Sequence, residues 1–425
     1  MLMSLTVGIF AVAYGLIASE RIPGYIVTGI GAVAVLGIGA IDPVTALTNP
    51  HEGIDWSVIA LLVGMMLLVG AIRTTGVFEY LAGIAARVGR GNAKVTLVLI
   101  LLITAVTSAV LPNLTIVMLV APVAIHLARQ LGVNPVPFVL ATIIGSNVGG
   151  TATLIGDPPN LIIGNRVGIG FVPFFTAMGP VALIALAVAI GFFLVVFRRA
   201  LVSVSPVVAE RAADSDTREL SHLPLLTVSI ALLGVVIGAY IAGGLGGFDP
   251  AVIALAAGVL AAGLSRTSIR AIVSGIEWRT LVFFAGLFVL VGALVSVGAL
   301  HAFAGFLAGA VGTNLDVVSV VLLGVSGIVS GIVDNIPYVT SMIPVVTELN
   351  TALGLGHDSG LWWVLATGAD LGGNLTIVGA SANIVGIAIA HREGIRLTMW
   401  DYAKVGVPLT LLMLAASIPY LLALG

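Results

Sequence analysis

Apolar residues run along this chain in stretches long enough to cross a bilayer. Segments near 4–19, 23–41, 56–72, 179–197, 224–243, 279–297 and 405–424 each approach the roughly 17–25 apolar residues that a spanning helix needs. Further apolar segments at 94–111, 114–131, 136–170, 250–264, 314–333, 336–354 and 361–391 are interrupted by Gly, Pro, Asn or Asp. Irregular backbone at membrane depth is tolerated only where protein or a water-filled cavity satisfies it, so the interrupted segments mark the functional interior. The run from Leu5 to Ala18 precedes the first basic residue, Arg21. It reads as a retained first span, since a secretory signal places its basic residues ahead of the apolar core.

Composition sharpens this reading: 59% hydrophobic against 8% charged residues leaves too little polar surface for a soluble domain, which carries about 25% charged residues. The 53 glycines suit helices packed closely in lipid. The net charge of -2 says little about partners beyond the lipid bilayer, and no nucleic acid is expected. No cysteine is present, which excludes disulfides and thiolate chemistry. The histidines lack metal-ligand spacing, so neither a metal nor a cofactor is expected, and no enzyme activity. Basic residues near span ends favour the cytoplasmic side. With both termini outside, Arg21, Arg73, Arg87, Arg90, Lys94, Arg129, Arg266, Arg270, Arg279, Arg392, Arg396 and Lys404 fall inside, and Arg166 alone stays outside. That bookkeeping requires 94–131 and 314–354 to be re-entrant hairpins. The polar stretch 198–223 then separates a first transmembrane repeat, 1–197, from a second, inverted one, 224–425, in an inner (plasma) membrane.

The repeat is visible in the residues. Asp55-Trp56 recurs as Glu277-Trp278, 222 positions later, and at that offset Ser108 to Pro122 lies over Ser330 to Pro344. GGTATLIGDPPN from Gly149 lies over GGNLTIVGASAN from Gly372. Each half contains an odd number of crossings, so the repeats have opposite orientation. The expected architecture is all-α, with about ten spans, two re-entrant hairpins and two broken helices, the arrangement of an inverted-repeat secondary transporter working by alternating access. Asp55 and Glu277 are expected to cap the helices that follow them. The run from Val77 to Arg90 reads as an interfacial amphipathic helix with a counterpart at 300–311, and Trp362, Trp363 and Trp400 as interface belts.

Hairpin tips and unwound spans expose backbone groups that have no intrahelical partner, and helix dipoles converge there. Asn113, Thr115, Thr151 and Thr153, with Asn335, Thr340, Asn374 and Thr376, offer amides and hydroxyls that both donate and accept. Gly149, Gly150, Gly372 and Gly373 permit close backbone approach. Together they form the candidate site for a small hydroxylated or anionic solute.

The strings LPNLTIVMLVAP, GGTATLIGDPPN, VDNIPYVTSMIP and GADLGGNLTIVGASAN resemble the signature segments of the ion transporter superfamily, in the branch of the ArsB-type arsenite efflux pumps and the P protein. The resemblance implies extrusion of arsenite or antimonite driven by protons. Its alternatives are a Na+/H+ antiporter or a transporter of organic or divalent anions. The symporter branch carries Ser-Asn-Thr at both tips, whereas Pro112-Asn113-Leu114 and Asp334-Asn335-Ile336 stand here, which counts against sodium and dicarboxylate coordination. Without cysteine, arsenite would be held as a neutral hydroxide by hydrogen bonds rather than by soft thiolates. No Walker-type loop is present, so energy comes from an ion gradient or from a separate ATPase subunit; that subunit and a homodimer are the protein partners compatible with this reading.

Intramembrane carboxylates are disfavoured by about 2.5–3.5 kcal/mol at a helix centre and usually serve function. Three are expected here: Asp157, Asp334 and Asp370. Their repeat counterparts are Ala380, Pro112 and Asn147, so each breaks the internal symmetry. Asp370, beside the Gly372-Gly373 break, is the leading candidate for proton coupling, with Asp334 and Asp157 following.

Overall fold

The computed structural model describes the chain except residues 20, 51, 203–222, 244–248, 266–268, 301, 303–313, 357 and 425. Most of the linker 198–223, and most of the expected interfacial helix at 300–311, lie outside the described residues. Those described form helices and connecting turns. Seven helices are long and apolar enough to cross a membrane, and five shorter apolar helices accompany them.

The first half runs α1 (Leu2–Ser19), α2 (Gly24–Gly37), α3 (Pro43–Thr48), α4 (Trp56–Arg73), α5 (Val77–Gly89), α6 (Ala93–Ser108), α7 (Asn113–Gln130), α8 (Val136–Gly150), α9 (Pro158–Val167) and α10 (Phe171–Val196). The second runs α11 (Leu223–Ile241), α12 (Pro250–Leu264), α13 (Ile269–Gly275), α14 (Trp278–Ser296), α15 (Leu315–Ile332), α16 (Asn335–Ala352), α17 (Leu361–Gly372), α18 (Ser381–Arg392) and α19 (Met399–Leu424). Each element of the first half has its counterpart in the second among the described residues, save α5, whose equivalent stretch lies mostly outside them. The hairpins are α6–α7 and α15–α16, and the broken spans are α8–α9 and α17–α18.

Sequence chemistry sets these boundaries. Asp55 caps α4, accepting from Ser57 N at 3.1 Å and Val58 N at 3.2 Å, a contribution of about 1 kcal/mol. Glu277 makes no such cap at α14; its carboxylate accepts from Thr280 Oγ1 instead, at 3.1 Å. What the two span starts do share is the indole, with Trp56 Nε1 donating to Leu47 O at 2.8 Å and Trp278 Nε1 to Val273 O at 2.9 Å. The expected helix after Val77 is α5. Trp362 and Trp363 are buried, Trp363 edge-on against Phe174 at 5.7 Å, so they belong to helix packing and not to an interface belt. Trp400 is exposed.

The repeats are interlocked. In the scaffold, α4 packs on α12 of the other half while α2 packs on α14. Small residues make this possible: a Cβ on Gly64 would lie 2.4 Å from the Ala254 backbone, and one on Gly286 would lie 2.7 Å from that of Thr28. The hairpins cross over in the same manner, α7 against α18 and α16 against α9. The Asn335 tip thereby reaches Asp157 in the broken span of the opposite repeat.

Candidate functional site

Each broken span is held open by an asparagine of its second half-helix. Asn160 Nδ2 donates to Gly150 O at 3.1 Å and Thr153 O at 3.2 Å. Asn383 Nδ2 donates to Gly373 O at 2.7 Å and Thr376 O at 2.8 Å. These bonds satisfy carbonyls left orphaned where the helix unwinds. A threonine in each break reaches its neighbouring hairpin, Thr153 Oγ1 donating to Ala109 O and Thr376 Oγ1 to Gly331 O. Thr151 Oγ1 donates to Asn147 O at 3.0 Å, and Thr340 Oγ1 to Ile336 O at 2.9 Å. These threonine hydroxyls are thus engaged with backbone. Thr115 sits half-buried two residues past its tip.

The glycines at the breaks serve close packing. A Cβ on Gly149 would stand 2.0 Å from Ala105 O, and one on Gly372 would stand 2.6 Å from Gly327 O, repeat-equivalent positions on α6 and α15. Gly150 packs on Gly156, and Gly373 on Gly379.

Between the breaks lies a buried cluster of amides and acids. Asn113 Nδ2 donates to Asp157 Oδ2 at 3.1 Å, and Asn335 Nδ2 donates to the same oxygen at 3.3 Å. Both hairpin tips therefore converge on one carboxylate. Asn113 Nδ2 also approaches Asn147 Oδ1 at 3.4 Å. From there Asn147 Nδ2 donates to Asn374 Oδ1 at 2.9 Å and to Asn383 Oδ1 at 2.8 Å, carrying the network into the second repeat. Asp157 is 2% exposed and Asp370 fully buried.

The three acids have distinct roles. Asp334 caps α16, its carboxylate accepting from Ile336 N at 3.1 Å. Asp157 stands at the start of α9 but makes no side-chain cap; it receives the two tip amides instead. Asp370 faces the Asn160 side chain, yet neither of its carboxyl oxygens has a hydrogen-bond partner, nor has Asn160 Oδ1 or Asn374 Nδ2. Among the expected residues, Asn113, Asn335, Asn374 and Asp157 meet in this network. Asn147, Asn160 and Asn383 join it as well. Asn160 and Asn383 close the repeated GG…N motifs and Asn147 is the counterpart of Asp370, but only contact across the two halves reveals what Asn147 binds.

Crevices between scaffold and core flank the cluster. One of about 380 Å³, beside the α1–α2 turn, reaches Asp334, Ile336, Val378 and Ser381 from Tyr25, Arg279 and Phe283. Its repeat equivalent, between Leu61, Pro112, Ile155, Asp157, Pro158 and Leu161, measures about 20 Å³. On the opposite membrane side from the α1–α2 turn, a cavity of about 610 Å³ is bordered by Glu52, Arg166, Thr340, Thr347 and Glu348. Arg166 is held in its wall, donating to Gly53 O at 3.1 Å and lying 5.5 Å from the Phe288 ring centroid. A cation so engaged is supplied with a dipole and a π face. Among the described residues there is no group of three or more His, Asp or Glu side chains able to hold a metal ion.

Known proteins resemble this chain. A family profile described as a citrate transporter matches residues 14–368. An uncharacterized transporter of Mycobacterium tuberculosis is 40% identical over 423 residues, covering 98% of this chain and 97% of that protein. The human P protein is 29% identical over 502 residues, covering 99% of this chain and 59% of its own length. Among solved structures, the YdaH transporter of Alcanivorax borkumensis matches with a TM-score of 0.61 at 13% identity, covering 99% of this chain and 97% of that one, a likeness of fold alone. The chain is a membrane transporter, not an enzyme, and belongs to the citrate transporter (CitMHS) family of the ion transporter superfamily.

Proposed function

We propose that this transporter is a proton-coupled antiporter that extrudes a small neutral oxygen-rich solute, arsenite or antimonite in its hydroxide form, across the plasma membrane. The observation that carries this reading is the convergence of Asn113 and Asn335 on Asp157 Oδ2. An uncharged trihydroxide can accept from the two amides and donate to the carboxylate without bringing charge of its own. The cluster holds Asp157 and Asp370 and its hydrogen bonds involve no basic side chain. A free tricarboxylate such as citrate would therefore meet like charge in a desolvated site, at a cost of several kcal/mol. The chain also lacks cysteine, so a soft metalloid would be released rather than trapped.

Proton coupling is assigned to Asp370, with Asp157 and Asp334 close enough to take part. The paired crevices, one open and its repeat equivalent nearly closed, support alternating access. In this reading the open crevice beside the α1–α2 turn faces the cytoplasm and both termini lie outside.

Everted vesicles under an imposed proton gradient provide the test. Arsenite and antimonite should accumulate and the gradient should dissipate with them. Uptake of citrate, free or complexed with a divalent cation, without arsenite uptake would replace this reading by organic-anion transport. Sodium-proton exchange without either solute would replace it by a cation antiporter.

A further inference from the structure

The α9 helix packs on α16 and α17 of the opposite repeat, and it meets the scaffold at two points. Near its start, Pro158 and Leu161 line the closed crevice against Leu61 of α4. Near its end, half-buried Arg166 reaches across: Nη2 donates to Gly53 O at 3.1 Å, and the guanidinium lies 5.5 Å from the Phe288 ring centroid on α14. Asp55, at the head of α4, attracts it electrostatically. The anchors on the scaffold side are rigid. Gly53 N donates to Asn49 O at 2.7 Å and Ile54 N to Ala46 O at 2.9 Å, and a Cβ on Gly292 of α14 would run into Glu52 O. The segment ahead of α4 is therefore wedged between α3 and α14.

The second repeat has the same helix without the tie. Ser381 and Ile384 near the start of α18 line the open crevice, but Ile389 stands where Arg166 stands, and Met66 where Phe288 stands. Glu277, the equivalent of Asp55, is engaged by Thr280 Oγ1. The crevice that is closed is thus the one whose helix carries a cation bound to the scaffold. Arg166 lies five residues beyond Leu161, about 7.5 Å along the same helix. Leu161 cannot leave Leu61 without drawing the guanidinium away from Gly53 and the ring. A contact made in only one of two states biases the equilibrium toward that state.

We propose that Arg166 is a latch on the outer gate: its contacts with Gly53 and Phe288 exist only while the first crevice is closed, and they hold the unloaded carrier open on the side of the α1–α2 turn. That is the side from which an exporter collects its solute. The latch rests on the alternating-access reading above and adds what sets its resting position.

The test uses the full-length protein, which has no cysteine of its own, in sealed vesicles with Pro158→Cys or Ser381→Cys as reporter and a membrane-impermeant maleimide on one face. Without solute or gradient, Arg166→Met should speed labelling of Pro158→Cys, from the face opposite the α1–α2 turn, by roughly 10-fold, as loss of a charged hydrogen bond and a cation-π contact would. Under a proton gradient, the arsenite concentration that half-protects Ser381→Cys on the other face should fall by a similar factor, since less of the carrier is held in the latched state. Phe288→Leu keeps the guanidinium and should move both readouts the same way by about 2–5-fold; it decides the matter if Arg166→Met fails to fold. Ile389→Met should move neither. Faster labelling of Pro158→Cys with no change at Ser381→Cys would show local loosening alone and overturn the latch, as would no change at either reporter. The reading beneath it is judged on the protein that retains Arg166. If its reporters exchange protection under gradient and arsenite while the variants shift nothing, the latch alone is rejected; if they never exchange, alternating access falls and the latch with it.

Discussion

The crevice between scaffold and core is built twice, and the two copies differ. Leu61, Pro112, Ile155, Pro158 and Leu161 close the first to about 20 Å³. Phe283, Asp334, Val378, Ser381 and Ile384, at equivalent positions, leave about 380 Å³ in the second. The backbone devices behind them are alike: both breaks are tied by an asparagine, both lean on a threonine, and both press a glycine into the neighbouring hairpin. Duplication therefore supplies the moving parts, and the departures from it supply the chemistry. Asp157 against Ala380, and Asp370 against Asn147, put one buried acid in each repeat at non-equivalent positions.

Substitutions at three places probe that comparison: Asp157, the two hairpin tips and Arg166. The largest effect is expected at Asp157, where alanine removes the shared acceptor of both tips. Charge-assisted hydrogen bonds contribute about 1.5–3 kcal/mol each, so transport should fall roughly 100-fold or more. Vesicle uptake measures this, and Ala380→Asp in the same background should not restore it if position, not charge alone, matters. Next come Asn113→Ala and Asn335→Ala. Each should cost on the order of 10-fold, and the double variant should cost less than the product, because the two amides share one oxygen. Strictly multiplicative losses in uptake would show that the tips act separately. The smallest effect is expected at Arg166, which ties α9 to Gly53 and to the Phe288 ring. Its repeat counterpart is Ile389. Arg166→Met should change uptake by about 2–5-fold, as loss of one or two partly exposed polar contacts would, while Ile389→Met should leave it unchanged.

Much of this was legible in the sequence because lipid simplifies the code. Spans follow from apolar length, and breaks follow from Gly, Pro, Asn and Asp where an apolar helix would otherwise continue. The matched strings at offsets of 222 and 223 gave the hairpins and broken helices as pairs, and with them Asn113, Asn335 and Asn374. What stayed hidden was direction. Nothing along the chain says that Thr153 and Thr376 turn their hydroxyls to the hairpin backbone, or that Gly149 and Gly372 face helix carbonyls. A capping residue and a site residue also look alike in sequence: Asp334 caps its helix, while Asp157, at the start of a helix just as plainly, does not. Which of them caps depends on contacts that close only when the opposite repeat delivers its tip. Trp362 and Trp363 were placed at the interface by composition alone, and packing against α10 decided otherwise.

The most direct test of an alternating pair of crevices uses thiol accessibility, since the native chain has no cysteine. Single variants Ser381→Cys and Pro158→Cys, at equivalent positions of the open and closed crevices, can be treated with a membrane-impermeant maleimide from each face. At rest, Ser381→Cys should label rapidly from the face of the α1–α2 turn and Pro158→Cys should be protected. Under a proton gradient with arsenite present, protection should pass to Ser381→Cys, and Pro158→Cys should label from the opposite face. Labelling of both from the same face, or no exchange of protection under transport conditions, would contradict alternating access through these two crevices.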